Sequence, residues 1–155
     1  MISYLIDTNV WLAMTWDQHP QDKPAARWYG SAGNSTLQFC RFTMVGFHRL
    51  LTNRMVMGDS TFTLDGALGV YDQWMEDPRV ELAAEMHGTE ISFRQAMELH
   101  GKQSATKAIA DCYLVGFAAA AGARLVTFDR GLAATARLRK VPVTVLMARG
   151  AGHGS

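Results

Sequence analysis

Ser3-Tyr4-Leu5-Ile6-Asp7-Thr8-Asn9-Val10 and Arg124-Leu125-Val126-Thr127-Phe128-Asp129 decide the fold. Each begins as a short run of β-prone residues, stops at an aspartate, and leads into a stretch with helical character. After the first, residues 10–14 read as a helix with Thr8 or Asn9 able to cap it. After the second, residues 132–138 supply a helical turn or two. Between and beyond them the same alternation continues. Residues 36–39 (TLQF), 79–82 (RVEL) and 141–146 read as further strands. Residues 24–29, flanked by Pro20 and Pro24, read as a helix. So do residues 43–54, where Val45, Leu50 and Leu51 share a face. Another helix starts at a cap on Thr63 or Asp65 and stops before Pro78. Residues 90–100 form one closed by Gly101, and residues 104–121 form a long one that Ser104 caps and Gly122 ends. Short strands alternating with helices imply right-handed βαβ crossovers, hence an α/β fold with a mainly parallel sheet.

The chain has 155 residues, which suits one domain. Residues 1–147 are expected to form it, with 148–155 a flexible glycine-rich tail. Hydrophobic residues make up 48% and charged residues 19%, so the composition is that of a globular protein and not a disordered one. A net charge of +1 argues against a basic coat for nucleic acid but leaves room for a local basic patch. The two cysteines, Cys40 and Cys112, lie in apolar segments and read as buried, reduced thiols of an intracellular protein. The N-terminal residues lack a basic region and meet Asp7 early, unlike a signal peptide. The longest apolar stretch, 112–121, is too short to span a bilayer. A soluble cytoplasmic protein is expected.

In open α/β sheets ligands bind beyond the carboxyl ends of the strands. Asp7 and Asp129 sit there, each behind a strand whose burial would fix it. Asp111 lies among Ala108, Ile109, Ala110, Cys112, Tyr113, Leu114 and Val115, where a carboxylate needs a partner or a metal. Three carboxylates held together repel one another, and a divalent cation relieves that repulsion. Oxygen ligands with room for water suit Mg²⁺ or Mn²⁺, which activate water and stabilise the leaving oxygen of a phosphodiester. No Cys/His pair, G-x-S-x-G, Walker loop or zinc spacing competes. Taken singly, an aspartate after a strand is often only a turn former or a helix cap. Asp111 has Lys107 one helical turn away as a plain ion-pair partner.

Together these stretches resemble the PIN-domain family, and within it the VapC-type toxin ribonucleases of toxin–antitoxin pairs. The resemblance runs from Leu5-Ile6-Asp7-Thr8-Asn9-Val10 through Cys40-Arg41-Phe42-Thr43 with Arg49-Leu50-Leu51-Thr52-Asn53. It continues in Ile109-Ala110-Asp111-Cys112-Tyr113-Leu114 and closes on residues 124–129. It implies a three-layer α/β/α sandwich. It also implies that Asp7, Asp111 and Asp129 are metal ligands and catalytic residues, with Thr8 and Thr127 orienting them. The implied substrate is RNA, the cofactor Mg²⁺ (or Mn²⁺), and the assembly a homodimer silenced by a cognate antitoxin. Thr8, Asn9, Arg130 and Lys107 are expected to bind substrate, with Lys102 a further phosphate contact. One departure stands out. Where the family carries a glutamate in the helix after the second strand, this chain has Gly46-Phe47-His48-Arg49, which favours one metal over two.

Two other functions compete. A PIN-like module that has lost catalysis and binds RNA or a partner protein would show no Asp7-dependent metal binding. A phosphoacceptor domain of the receiver kind requires an acidic pair near the first strand end and a lysine after the last strand. Thr8-Asn9 and Met147-Ala148 stand there instead. Trp11, Trp16 and Trp28 are candidates for stacking on bases, though core or dimer packing accounts for them better. The helices holding residues 11–16 and 47–51 are candidates for the antitoxin groove. His48 is expected to be structural.

Overall fold

The computed structural model describes residues 1–147. The expected tail, 148–155, lies outside them. Five strands form one sheet in the order β3-β2-β1-β4-β5. They are β1 (Ser3–Ile6), β2 (Thr36–Phe39), β3 (Val80–Leu82), β4 (Arg124–Thr127) and β5 (Val143–Val145). Every pairing is parallel. Eight helices surround the sheet among the described residues: α1 (Thr8–Thr15), α2 (Asp22–Ser31), α3 (Arg41–Leu51), α4 (Arg54–Met57), α5 (Leu64–Met75), α6 (Thr89–Glu98), α7 (Ala108–Ala121) and α8 (Arg130–Leu138). The three-layer arrangement follows from strand alternation, since successive residues face opposite sides of a sheet. Ile6 and Val126 pack with Trp11, Phe39, Phe47 and Leu51 on one face. Leu5 and Leu125 pack with Cys112, Phe117, Leu132 and Ala136 on the other. Both cysteines are buried and unpaired, as expected.

Helix boundaries depart from the sequence-based expectations where local chemistry competes. The helix expected from Ser104 begins at Ala108, because residues 101–107 close turns of their own. The Gln103 amide reaches the His100 carbonyl (3.0 Å), and the Thr106 amide reaches the Ser104 carbonyl (3.1 Å). The helix expected over 43–54 ends at Leu51, and α4 restarts behind Asn53, whose side chain accepts from the Met55 amide. Thr63 caps α5 as expected, accepting from the Gly66 amide. No helix among the described residues is long and apolar enough to cross a membrane.

Candidate active site

β1 and β4 lie side by side, with Ile6 level with Val126. Their carboxyl ends therefore emerge together, and the Asp7 amide donates to the Val126 carbonyl (2.9 Å). Thr127 is wholly buried and stands between the two strand-end acids. Its hydroxyl donates to Asp7 Oδ2 (2.7 Å) and accepts from the Asp129 amide (2.9 Å). Asp7 Oδ1 accepts from the Thr8 amide (2.8 Å), so Asp7 itself caps α1, in place of Thr8 or Asn9. Asp129 Oδ1 accepts from the amides of Gly131 (2.7 Å) and Leu132 (3.2 Å) and caps α8. The capping role weighed for both acids is real. It also aims two helix N-termini at the same sheet edge, where they favour negative charge.

Asp111 reaches this edge from the first turn of α7. Burial pushes its carboxyl up to about 6, and the charges of Asp129 and Asp7 add to the rise, while His100 opposes it. Burial also raises Asp7, against the lowering effect of its bonds to Thr127 and Thr8, and Asp129 raises it further. The three acids thus share one electrostatic neighbourhood with no cationic side chain large enough in effect to balance them. The ion pairs among the described residues are Arg79–Asp77 and Arg94–Glu90, so the alternative of Asp111 bound to Lys107 does not hold.

The donor chemistry fits a hard dication, with one restriction. Among the described residues, no three His, Cys, Asp or Glu side chains converge closely enough to hold one ion directly. Mg²⁺ keeps several waters and is commonly bound through one or two carboxylates, so it does not need three direct protein ligands. Gly46 sits on α3 facing Thr8. A Cβ placed there would lie 3.1 Å from Thr8 Oγ1 and 3.2 Å from Thr8 Cγ2. The position that lacks the expected glutamate is thus filled by the side chain next to Asp7.

Thr8 is partly buried against Gly46, whereas Asn9, Lys102, Lys107 and Arg130 are exposed. Lys107 lines a cavity together with Asp111. Of the tryptophans, Trp11 is wholly buried and stacked on Phe39, with ring centroids 3.8 Å apart. Trp28 meets Tyr4 edge-on and Trp16 packs against the same core. Trp11 is thus a core residue closed to bases, and Trp16 and Trp28 are half-buried against that core. Phe47 and Leu51 are buried as well, so the groove suggested at 11–16 and 47–51 is interior at its apolar residues. His48 is bonded through Nδ1 to the Met44 carbonyl (2.8 Å) and lies against Tyr71. A residue the sequence left unnoticed is His100, which lies near enough to Asp111 to act on its charge. Nothing local in Leu99-His100-Gly101 signals that role.

A family model for the PIN domain matches residues 4–138. Ribonuclease VapC41 of Mycobacterium tuberculosis is 35% identical over 130 residues, covering 81% of this chain and 88% of its own. Ribonuclease VapC39 of the same organism is 31% identical over 147 residues, covering 90% and 97%. Among solved structures, VapBC2 from Rickettsia felis, bound to a DNA fragment from its promoter, superposes with a TM-score of 0.66. It covers 94% of this chain and the whole of its own at 14% identity, a likeness of fold.

Proposed function

The chain belongs to the PIN-domain family, and from that premise we propose that it is an Mg²⁺-dependent endoribonuclease, the toxin of a type II toxin–antitoxin pair. The observation that carries the reading is the coupling of Asp7, Asp111 and Asp129 at one sheet edge, with Thr127 bridging two of them. Similarity to two curated VapC ribonucleases supports RNA as the substrate. The VapBC2 likeness supports an antitoxin as partner. We place the protein in the cytoplasm, as a homodimer, with residues 1–147 as its single domain.

Asp7 and Asp129 would hold the ion, with Asp111 completing the set directly or through water. When bound, the cation supplies charge neutralisation at the scissile phosphate and raises the acidity of the attacking water. Thr127 fixes Asp7 by donating to Oδ2, so that carboxylate keeps one orientation. Asp111 would take the proton from the attacking water as general base. The water oxygen adds to phosphorus as the bond to the leaving ribose oxygen breaks. The proton passes on to that oxygen. Arg130 and Lys107 contact backbone phosphates and Thr8 and Asn9 line the approach, where cations position the strand without reading its sequence.

Asp7→Asn and Asp129→Asn test this. Asparagine still caps a helix, so the fold is preserved while a charged ligand is lost. Both variants are expected to lose at least about 100-fold in cleavage of RNA in Mg²⁺. Equal cleavage by wild type and both variants sinks the assignment. The restricted convergence of the acids favours one rival, a PIN module that binds without cleaving. Calorimetry with Mn²⁺ separates the two, since that module shows no metal binding dependent on Asp7.

A further inference from the structure

A cavity of about 600 Å³ opens beside Asp111, between the α6–α7 loop and α8. Its polar lining includes His100, Gln103, Ser104, Lys107 and Thr135, together with Thr106 and the carboxylate of Asp111. His100 Nε2 is bonded to Thr135 Oγ1 (3.3 Å), which pins the imidazole to α8. Among the described residues its Nδ1 makes no hydrogen bond, and its charge is felt at Asp111. Thr135 is buried, so the pin is rigid, whereas Gln103, Ser104 and Lys107 are exposed on the loop.

We propose that this cavity seats one nucleotide of the RNA flanking the scissile phosphate, with His100 as the residue that positions it. The inference rests on the ribonuclease reading and extends it. A volume in the range of about 300–1,000 Å³ is that of a pocket for a small-molecule-sized group such as a nucleotide. Its lining is mainly apolar with a few polar side chains, which suits a base carrying its ribose and phosphate. Lys107 offers a point charge to a phosphate. Ser104 and Gln103 offer donors and acceptors to ribose hydroxyls or a base edge. The pinned imidazole presents its second nitrogen to the same space. Placement next to Asp111 makes the occupant continuous with the bond being cut. A mononucleotide-sized seat explains why a chain with a net charge of +1 needs no broad basic surface. Orientation comes from a shaped site and not from the overall field.

The test uses the full chain and a short RNA pool of randomised sequence. In EDTA, the pool is expected to shift the ring resonances of His100. His100→Ala is expected to bind it about tenfold more weakly, the loss of one hydrogen bond to a charged or polar group. In Mg²⁺, His100→Ala is expected to raise KM about tenfold with kcat little changed, the pattern of lost positioning common to ground and transition states. His100→Gln, which keeps a hydrogen-bonding group, is expected to recover part of the loss. Thr135→Val breaks the same tie between the α6–α7 loop and α8 but leaves the imidazole. If it reproduces the whole loss, the histidine is only structural and the proposal fails. Unchanged affinity and KM in His100→Ala overturn it while leaving the ribonuclease reading standing. RNA binding at His100 by a wild type that cleaves no RNA has the opposite meaning, as the seat survives and the ribonuclease reading falls. Absence of RNA binding overturns the seat.

Discussion

Thr127 does two things with one hydroxyl. It is buried in β4, donates to Asp7 and accepts from the Asp129 amide. Valine has nearly the same shape and fits the strand equally well, so Thr127→Val removes the bridge and little else. The variant is expected to lose about 1–2 kcal/mol of stability, because it leaves a carboxylate oxygen and an amide without their partner. Cleavage is expected to fall further than that loss explains at a temperature where the protein is fully folded. Chemical denaturation together with RNA cleavage checks both; unaltered activity would show that Asp7 needs no such support. Asp7 and Asp129 were legible in the sequence because the signal is local: an apolar run, an acid, then a helix. Thr127 was suggested only by family resemblance. His100 was invisible because its partner Thr135 is 35 positions away and on another helix. No periodicity carries information about a contact at that distance.

Two glycines set how closely the helices approach. On α7, a Cβ at Gly116 would stand 2.6 Å from the Phe93 nitrogen and 2.8 Å from Phe93 Cα. Those are backbone atoms of α6, so no side-chain rotation relieves the overlap and the helix itself must move. Gly116→Ala is therefore expected to destabilise by about 3 kcal/mol despite alanine's better helix propensity. Because α6 leads into the loop around Asp111, RNA affinity is expected to fall with it. A midpoint of denaturation equal to wild type would rule out the tight α6–α7 packing. Gly46 on α3 is a milder case, since its neighbour is the Thr8 side chain. Gly46→Ala alone is expected to be destabilising, and Gly46→Ala in a Thr8→Ser background less so. The Cγ2 methyl, 3.2 Å from the added Cβ, is then gone. A double-mutant cycle with zero coupling would contradict the contact. Element types were readable from periodicity and caps. Boundaries were not, wherever side chains offered the backbone a competing bond. Asp7 took the cap expected of Thr8 or Asn9, and the turns at 101–107 moved the start of α7 three residues on, from a cap at Ser104 to one at Lys107.

Strand order belongs to the whole molecule, and nothing in a single strand announces it. The alternation of strands and helices implied a parallel sheet, but the placement of β1 between β2 and β4 comes from long-range packing on both faces. That placement gathers the acids at the carboxyl edge. A separate network, on Asp77 and Arg79 just before β3, ties that strand's entry to α2 and to the turn after it. Arg79 donates to both Asp77 oxygens and to the Gly33 carbonyl, and the Tyr29 hydroxyl donates to Asp77. The two clusters give opposite pH dependences. Arg79 holds the Asp77 carboxyl well below its ordinary value. Its contribution is therefore complete above about pH 4 and is lost as the pH falls further. Asp111 is raised to about 6 in the folded chain. The native state binds that proton more tightly than the unfolded state, so stability falls as the pH rises from about 4 through 6. Asp7, also raised, acts in the same direction. The metal-free protein is therefore expected to melt at a higher temperature near pH 5 than near pH 7.5, with a decline below about pH 4. Asp111→Asn is expected to remove most of the difference between pH 5 and 7.5. Mg²⁺ is expected to narrow it by binding the native state near neutrality, where the carboxylates are charged. Thermal denaturation in EDTA and in Mg²⁺ across this range reads all three effects. A midpoint that rises steadily from about pH 5 to 7.5 without metal would mean that neither burial nor mutual repulsion raises these acids in the folded chain. The electrostatic argument for a cation would then lose its basis.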